Sequence, residues 1–271
     1  MHKKRKILIS GIILILIFLI FLFTNKEKEK IILYSWNIKD ISEEKRDNLE
    51  QIINKLNINT IYQTFSSDYL EESNDEFIKY LHKKNISVYH LTGEREWGLG
   101  NDMKYIYKEI DLVYNFNKNN KNKLDGIAFD IEPYILEEWT DESLEIYVSK
   151  MKKAYKYAQE KGIYFILVIP YWYDNLNLEL LEELFKDAGD EFSIMNYRIK
   201  STIKNIENEV KFAKKYNKKI NTIAEVGFKD EDKFNSFKEI NADFKNIKEY
   251  YSDYNISIAY HDYSTILKEL N

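Results

Sequence analysis

Leu124-Asp125-Gly126-Ile127-Ala128-Phe129-Asp130-Ile131-Glu132-Pro133-Tyr134 is the stretch on which the reading of this chain turns. Ile127, Phe129 and Ile131 alternate with Gly126, Ala128, Asp130 and Glu132. That is the period of a β-strand, whose successive side chains point to opposite faces. The spacing predicts Asp130 and Glu132 on one face, one pleat repeat apart, with only small residues beneath them. Pro133 cannot continue the ladder and stops the strand after the second acid. Two acids, small residues below and a proline stop above suit an open site. A salt-bridged pair at a strand end is the competing structural reading.

The same unit recurs along the chain. Strand-like stretches at 31–38, 58–65, 86–91, 163–170, 192–199, 219–226 and from 256 join this one to make eight. A helical pattern follows each. Ser42 opens one with Leu49, Ile52, Ile53 and Leu56 on one face; others span 71–84, 101–118, 140–162, 176–187, 201–216 and 229–250, and Ser264 opens the last. Alternating strands and helices imply a parallel sheet, and eight units without a linker imply a single (β/α)8 TIM barrel, class α/β, over residues 31–271. The alternative, an open doubly wound sheet, would carry a Gly-rich phosphate loop after its first strand, and Trp36-Asn37-Ile38-Lys39 is nothing like one.

In such barrels the site forms at the C-terminal strand ends. The candidates there are Trp36, Gln63, Glu94 and Glu96 with Trp97, Asp130 with Glu132 and Tyr134, Tyr171 with Trp172, Tyr197 with Arg198, Glu225 and His261. The loop 92–100 holds three of the chain's eight glycines. All four tryptophans, Trp36, Trp97, Trp139 and Trp172, follow strands closely. Aromatic walls over a floor of acids describe a sugar site, because sugar rings stack through C–H faces and hydrogen-bond through hydroxyls. Loop packing across the mouth is the alternative, foremost for Trp139. No metal or cofactor is expected: Asp130, Glu132 and His261 lack a His-x-His or His-Glu-x-x-His spacing. No Gly-x-Ser-x-Gly nucleophile elbow occurs either.

The N-terminus is of another kind. Residues 1–6 hold the basic cluster Lys3-Lys4-Arg5-Lys6, and residues 7–23 are apolar but for Ser10 and Gly11. Seventeen residues is the short end for a spanning helix. A cleaved signal peptide competes, but no small-x-small site follows, and with no cysteine a lipid-modified one is excluded. The expectation is an uncleaved signal anchor at 7–23, with the basic cluster held in the cytoplasm, a solvated charged tether at 24–30, and the barrel outside on a bacterial cell surface. Residues 1–30 hold seven Lys/Arg and two Asp/Glu, leaving 33 basic and 43 acidic side chains for the remainder. That balance argues against nucleic acid as a partner.

The segment Asp125 to Glu132 resembles the DGxDxDxE signature of glycoside hydrolase family 18, the chitinases. The resemblance implies Glu132 as general acid and Asp130 as the acid that orients the substrate's N-acetyl group. Met195 and Tyr197 match that family's M-x-Y-D segment; Ala128 and Arg198 stand where the family has acids. Ile131-Glu132-Pro133 with Glu225 is also similar to clan A retaining glycosidases, which would make Glu132 the acid/base and Glu225 the nucleophile; Ile131 stands where that clan has Asn. Most of the barrel looks like a group of bacterial proteins with D-I/V-E-P-Y…E-W after strand 4 and H-L-T-G…W after strand 3, here Asp130 to Tyr134 with Glu138-Trp139 and His90 to Gly93 with Trp97. That group carries no assigned activity. The expectation is a membrane-anchored glycosidase-like barrel whose partner is a wall or surface polysaccharide. A non-catalytic barrel binding glycan or protein is the other class.

Overall fold

A computed structural model of the protein describes residues 29–42, 45–65, 72–140, 142–227 and 233–270. The expected cytoplasmic segment 1–6, anchor 7–23 and tether residues 24–28 lie outside them. Among the described residues no helix is long and apolar enough to cross a membrane.

Eight parallel strands close in sequence order into a barrel: β1 (Ile31–Ser35), β2 (Thr60–Gln63), β3 (Ser87–Thr92), β4 (Gly126–Phe129), β5 (Phe165–Pro170), β6 (Glu191–Met195), β7 (Lys219–Glu225) and β8 (Ile256–His261). β1 closes the ring, pairing Ile32 with Thr60 of β2 and with Ala259 of β8. Each strand is followed by a helix: α1 (Arg46–Leu56), α2 (Glu72–Lys83), α3 (Lys104–Asn119), α4 (Ser143–Glu160), α5 (Leu178–Asp187), α6 (Glu207–Tyr216), α7 (Phe237–Tyr250) and α8 (Tyr263–Leu270). Short helical turns at Tyr173–Leu176 and Thr202–Asn205 precede α5 and α6.

Local chemistry sets these boundaries. In α1 the periodic apolar residues Leu49, Ile52, Ile53 and Leu56 are the buried ones, and Asn57 ends it in the left-handed conformation that asparagine tolerates. Asn177 caps α5 by accepting from the Glu179 and Leu180 N–H groups. The expected helix over 201–216 is split, because Ile206 leaves helical geometry. β1 and β6 stop at Ser35 and Met195, short of the expected ends, so Trp36 and Tyr197 ride on the loops of the mouth.

Strand alternation sorts the core into two layers. Ile127, Phe129, Phe165, Leu167, Phe192 and Ile194 face the helices. Tyr34, Tyr62, Leu91, Ala128, Ile166, Val168, Met195 and Ile223 fill the barrel interior. That interior is more polar than the branched-aliphatic filling usual for the fold. The Tyr34 hydroxyl donates to Ser193 Oγ at 2.8 Å, and Ser193 donates on to Asn221. Asn221 then donates to Glu191 at the start of β6, at 3.1 Å. Lys30 was expected to end a solvated tether. Instead its ammonium reaches under the barrel to Glu191, at 2.5 Å, because burial leaves that carboxylate in need of a cation.

Candidate active site

The mouth is organised by the exit of β4. The Asp130 N–H still donates to the Thr92 carbonyl at 2.9 Å, continuing the pairing with β3. Glu132 has already left strand geometry, at φ −109° and ψ 66°, and Pro133 opens a 3-10 turn to Ile135. The regular strand therefore ends at Phe129, earlier than the alternation implied, and the proline turn takes the chain out of the sheet. Both acids act on Tyr147, Tyr173 and Tyr197, so they lie close together at this end of the barrel.

The glycine-rich loop after β3 makes this exit possible. A Cβ on Gly93 would lie 2.0 Å from the Asp130 carbonyl oxygen, and one on Gly98 would lie 2.5 Å from Pro133 Cβ. No side chain fits at either contact, so the two glycines clasp the acid-bearing turn from Asp130 to Pro133. Lys150 of α4 holds the far side of the loop. Its buried ammonium donates to the carbonyls of Leu99 and Gly100, both at 3.1 Å, and of Asp102, at 2.6 Å.

Asp130 is buried, and its Oδ1 has no hydrogen-bond partner. Burial, and then the neighbouring Glu132 charge, push its carboxyl well above the usual carboxylate range. Glu132 is half-buried and accepts a hydrogen bond from the Tyr134 hydroxyl. Burial first, then that bond, keep the Tyr134 phenol protonated and a donor. Trp172 meets the Tyr134 ring edge-on at 4.9 Å, forming the β5 side of the mouth. On the opposite side Trp36 Nε1 donates to His261 Nε2 at 3.3 Å. Burial lowers the His261 pKa against the pull of Asp262, Glu225 and Glu132, so the imidazole is neutral and Nε2 is free to accept. The rings of Tyr34 and Tyr197 flank it, with centroids 5.7 and 5.6 Å away. Glu225, at the end of β7, is half-buried and ion-paired to Lys233 at 2.6 Å.

The structure thus brings Asp130, Glu132, Tyr134, Trp172, Tyr197, Trp36, His261 and Glu225 around one mouth. The buried Gln63 uses its amide N–H groups on the Asn37 and Thr64 carbonyls, which fastens loops beside the mouth. Glu94, Glu96 and Arg198 are exposed. Trp97 stacks on Tyr105 of α3, with centroids 6.1 Å apart. Trp139 stacks parallel on Tyr173, with centroids 6.5 Å apart. Sequence reasoning missed Tyr34 and Tyr147. Tyr34 is buried where the Asp130 charge reaches it, a position signalled by its parity, two residues before Trp36. The Tyr147 hydroxyl is buried without a partner and feels both acids, but nothing in its helical spacing distinguishes it from a core residue. Among the described residues no group of three His, Asp or Glu is placed to hold a metal ion.

No protein-family model matches the chain, and no curated protein matches it in sequence. Its fold does have solved counterparts. A GH18 chitinase from Pseudoalteromonas aurantia is similar at TM-score 0.59 and 15% identity, over 89% of this chain and 98% of that one. The spore cortex-lytic enzyme SleL of Bacillus megaterium is similar at 0.56 and 13%, over 90% and 74%. TsXylA, the intracellular xylanase of Thermoanaerobacterium saccharolyticum, is similar at 0.55 and 12%, over 87% and 86%. At these identities the likeness is one of fold: the chain is a TIM barrel whose structural neighbours include glycoside hydrolases.

Proposed function

We propose that this protein is a glycoside hydrolase acting on an amino-sugar-containing wall or surface polysaccharide, held outside a bacterial membrane by residues 7–23. The observation that carries the reading is the pairing of Glu132, hydrogen-bonded by Tyr134, with a buried Asp130 whose Oδ1 is unpartnered and whose carboxyl burial holds above the usual carboxylate range. A buried polar atom without a partner is costly, and a bound substrate that supplies the partner repays part of that cost.

In this reading Glu132 is the general acid that protonates the glycosidic oxygen as the bond to the anomeric carbon breaks. The substrate's own N-acetyl carbonyl oxygen attacks that carbon, and Asp130 accepts the amide N–H to hold the group in line. Water then opens the cyclic intermediate, with Glu132, now the base, taking its proton. Trp36, Trp172 and Tyr197 supply stacking faces. The second chemistry, with Glu225 as protein nucleophile, has less support, because Lys233 already engages that carboxylate. Replacement of Glu132 by Gln tests the reading. Turnover of an N-acetylated glycan should fall by about two to four orders of magnitude with the fold intact. Near-normal turnover on a confirmed substrate would rule out the acid role.

The location rests on the basic cluster before the apolar run. Protease added to intact, wall-stripped cells should degrade the barrel. Full protection contradicts an outward-facing domain.

A further inference from the structure

The two ends of the barrel differ in charge. The mouth segments 36–42, 93–103, 130–140, 171–177, 196–206, 225–227, 233–236 and 262 hold eleven carboxylates and six basic side chains. The helix-to-strand segments 55–59, 83–86, 118–125, 160–163, 186–190, 214–219 and 245–255, on the opposite end, hold fourteen lysines and six carboxylates. Every one of those seven floor segments contributes at least one lysine. Lysines in last helical turns, such as Lys55 and Lys186, also complement the helix macrodipole. That does not account for Lys121 and Lys123, which stand exposed in a loop. Three clefts of about 400, 490 and 500 Å³ open on this floor, lined among others by Lys55, Lys84, Lys218, Lys245 and Lys248. Tyr250, at the floor end of α7, is the most exposed large apolar side chain among the described residues, at 66%.

The chain enters the barrel through the same floor. The Lys30 N–H donates to Ser257 Oγ at 3.1 Å, and Asn59 Nδ2 donates to the Glu29 carbonyl at 2.9 Å. Glu29 is ion-paired to Lys248. From Phe23 at the end of the apolar run to Glu29 there are six Cα–Cα steps, roughly 22 Å when fully extended. That reach is about the length of one barrel strand.

We infer that the lysine-rich floor of the barrel docks on an anionic lipid bilayer, so that the acidic mouth points away from the membrane. The inference rests on the anchored reading above and goes beyond it. The short tether keeps the floor near the bilayer, where the surface potential of acidic lipids attracts lysines, and it repels the acidic mouth from that surface. Tyr250 is suited to the headgroup level, as interfacial tyrosines are.

Because the chain contains no cysteine, single labels report orientation cleanly. Full-length protein carrying an environment-sensitive fluorophore at Asn119→Cys on the floor or at Ile135→Cys on the mouth is reconstituted into vesicles of phosphatidylcholine with about one-third phosphatidylglycerol, an anionic mixture. Headgroup-quencher lipids should cut emission at 119 about twofold or more and leave 135 unchanged. The floor quenching should fade without phosphatidylglycerol, in about 1 M NaCl, where the Debye length is about 3 Å, and in the Lys55→Gln, Lys121→Gln, Lys245→Gln variant. Equal quenching at both labels, quenching at 135 alone, or none at either on protein that floats with the vesicles overturns docking and leaves the anchor standing. Protein that fails to float overturns the anchor, and docking with it.

Discussion

Two buried carboxylates on the barrel interior contrast its floor with its mouth. At the floor, Glu191 Oε1 accepts from Tyr62 at 3.3 Å and Asn221 at 3.1 Å, and Oε2 accepts from Lys30 at 2.5 Å and Tyr164 at 3.1 Å. At the mouth, Asp130 has an oxygen with no partner and a like-charged neighbour in Glu132. The first arrangement is what stability requires of a buried charge, namely a counter-ion and hydrogen bonds on both oxygens. The second persists only where the surrounding fold enforces it, and the clasp of Gly93 and Gly98 does so here. Satisfied and unsatisfied carboxyls thus distinguish the two ends of the barrel interior.

The contrast breaks most readily at the floor. Glu191→Ala strands Lys30, Tyr62 and Tyr164 under the barrel and should cost about 3–5 kcal/mol, read by urea unfolding. A loss below about 1 kcal/mol would mean the floor network is not what closes the barrel. At the mouth, Gly93→Ala drives a methyl group into the Asp130 carbonyl. It should cost about 1–3 kcal/mol and reduce turnover more than stability, because it moves Asp130. Unchanged turnover would show that the clasp does not position the acid.

A third buried carboxyl, in the first turn of α6, sharpens the comparison. Glu209 in α6 has no partner on either oxygen, and burial raises its pKa. Its folded pKa lies above the unfolded value of about 4.3, so the folded state retains a proton that the unfolded state releases. Stability on its account falls as pH rises above about 4.3. Glu209→Gln should therefore stabilise by about 1–3 kcal/mol at pH 8 and much less near pH 4, measured by paired denaturant curves. An equal effect at both pH values contradicts the assignment. The smallest expected effect is at Glu225. The pair with Lys233 is partly exposed, so Glu225→Gln should change stability by less than about 1 kcal/mol. Turnover should stay within about tenfold; a dead variant rescued by azide would restore the protein-nucleophile chemistry.

The barrel was legible because its signal is periodic. Alternation in Ile127 to Ile131 and the helical spacing of Leu49, Ile52, Ile53 and Leu56 are local, and each matches a buried face in the structure. Asp130 and Glu132 were legible as a pair, though not their departure from the strand, since the turn depends on Gly93 and Gly98 pressing from another segment. The floor was not legible. Lys30 and Glu191 are 161 residues apart, and no spacing rule links a lysine in a charged run to a glutamate opening a strand. Trp97 reads like the other mouth tryptophans in sequence, and only the path of its loop turns it toward Tyr105.

The most direct test is at Asp130. Asn preserves its shape but removes the carboxyl, and turnover and urea unfolding are measured on one preparation against an N-acetylated glycan. The account predicts a loss of turnover of about a hundredfold or more, with stability equal to or above that of the unaltered protein, because a carboxyl that burial disfavours has been removed. Near-normal turnover, or a destabilisation as large as that of Glu191→Ala, would contradict it.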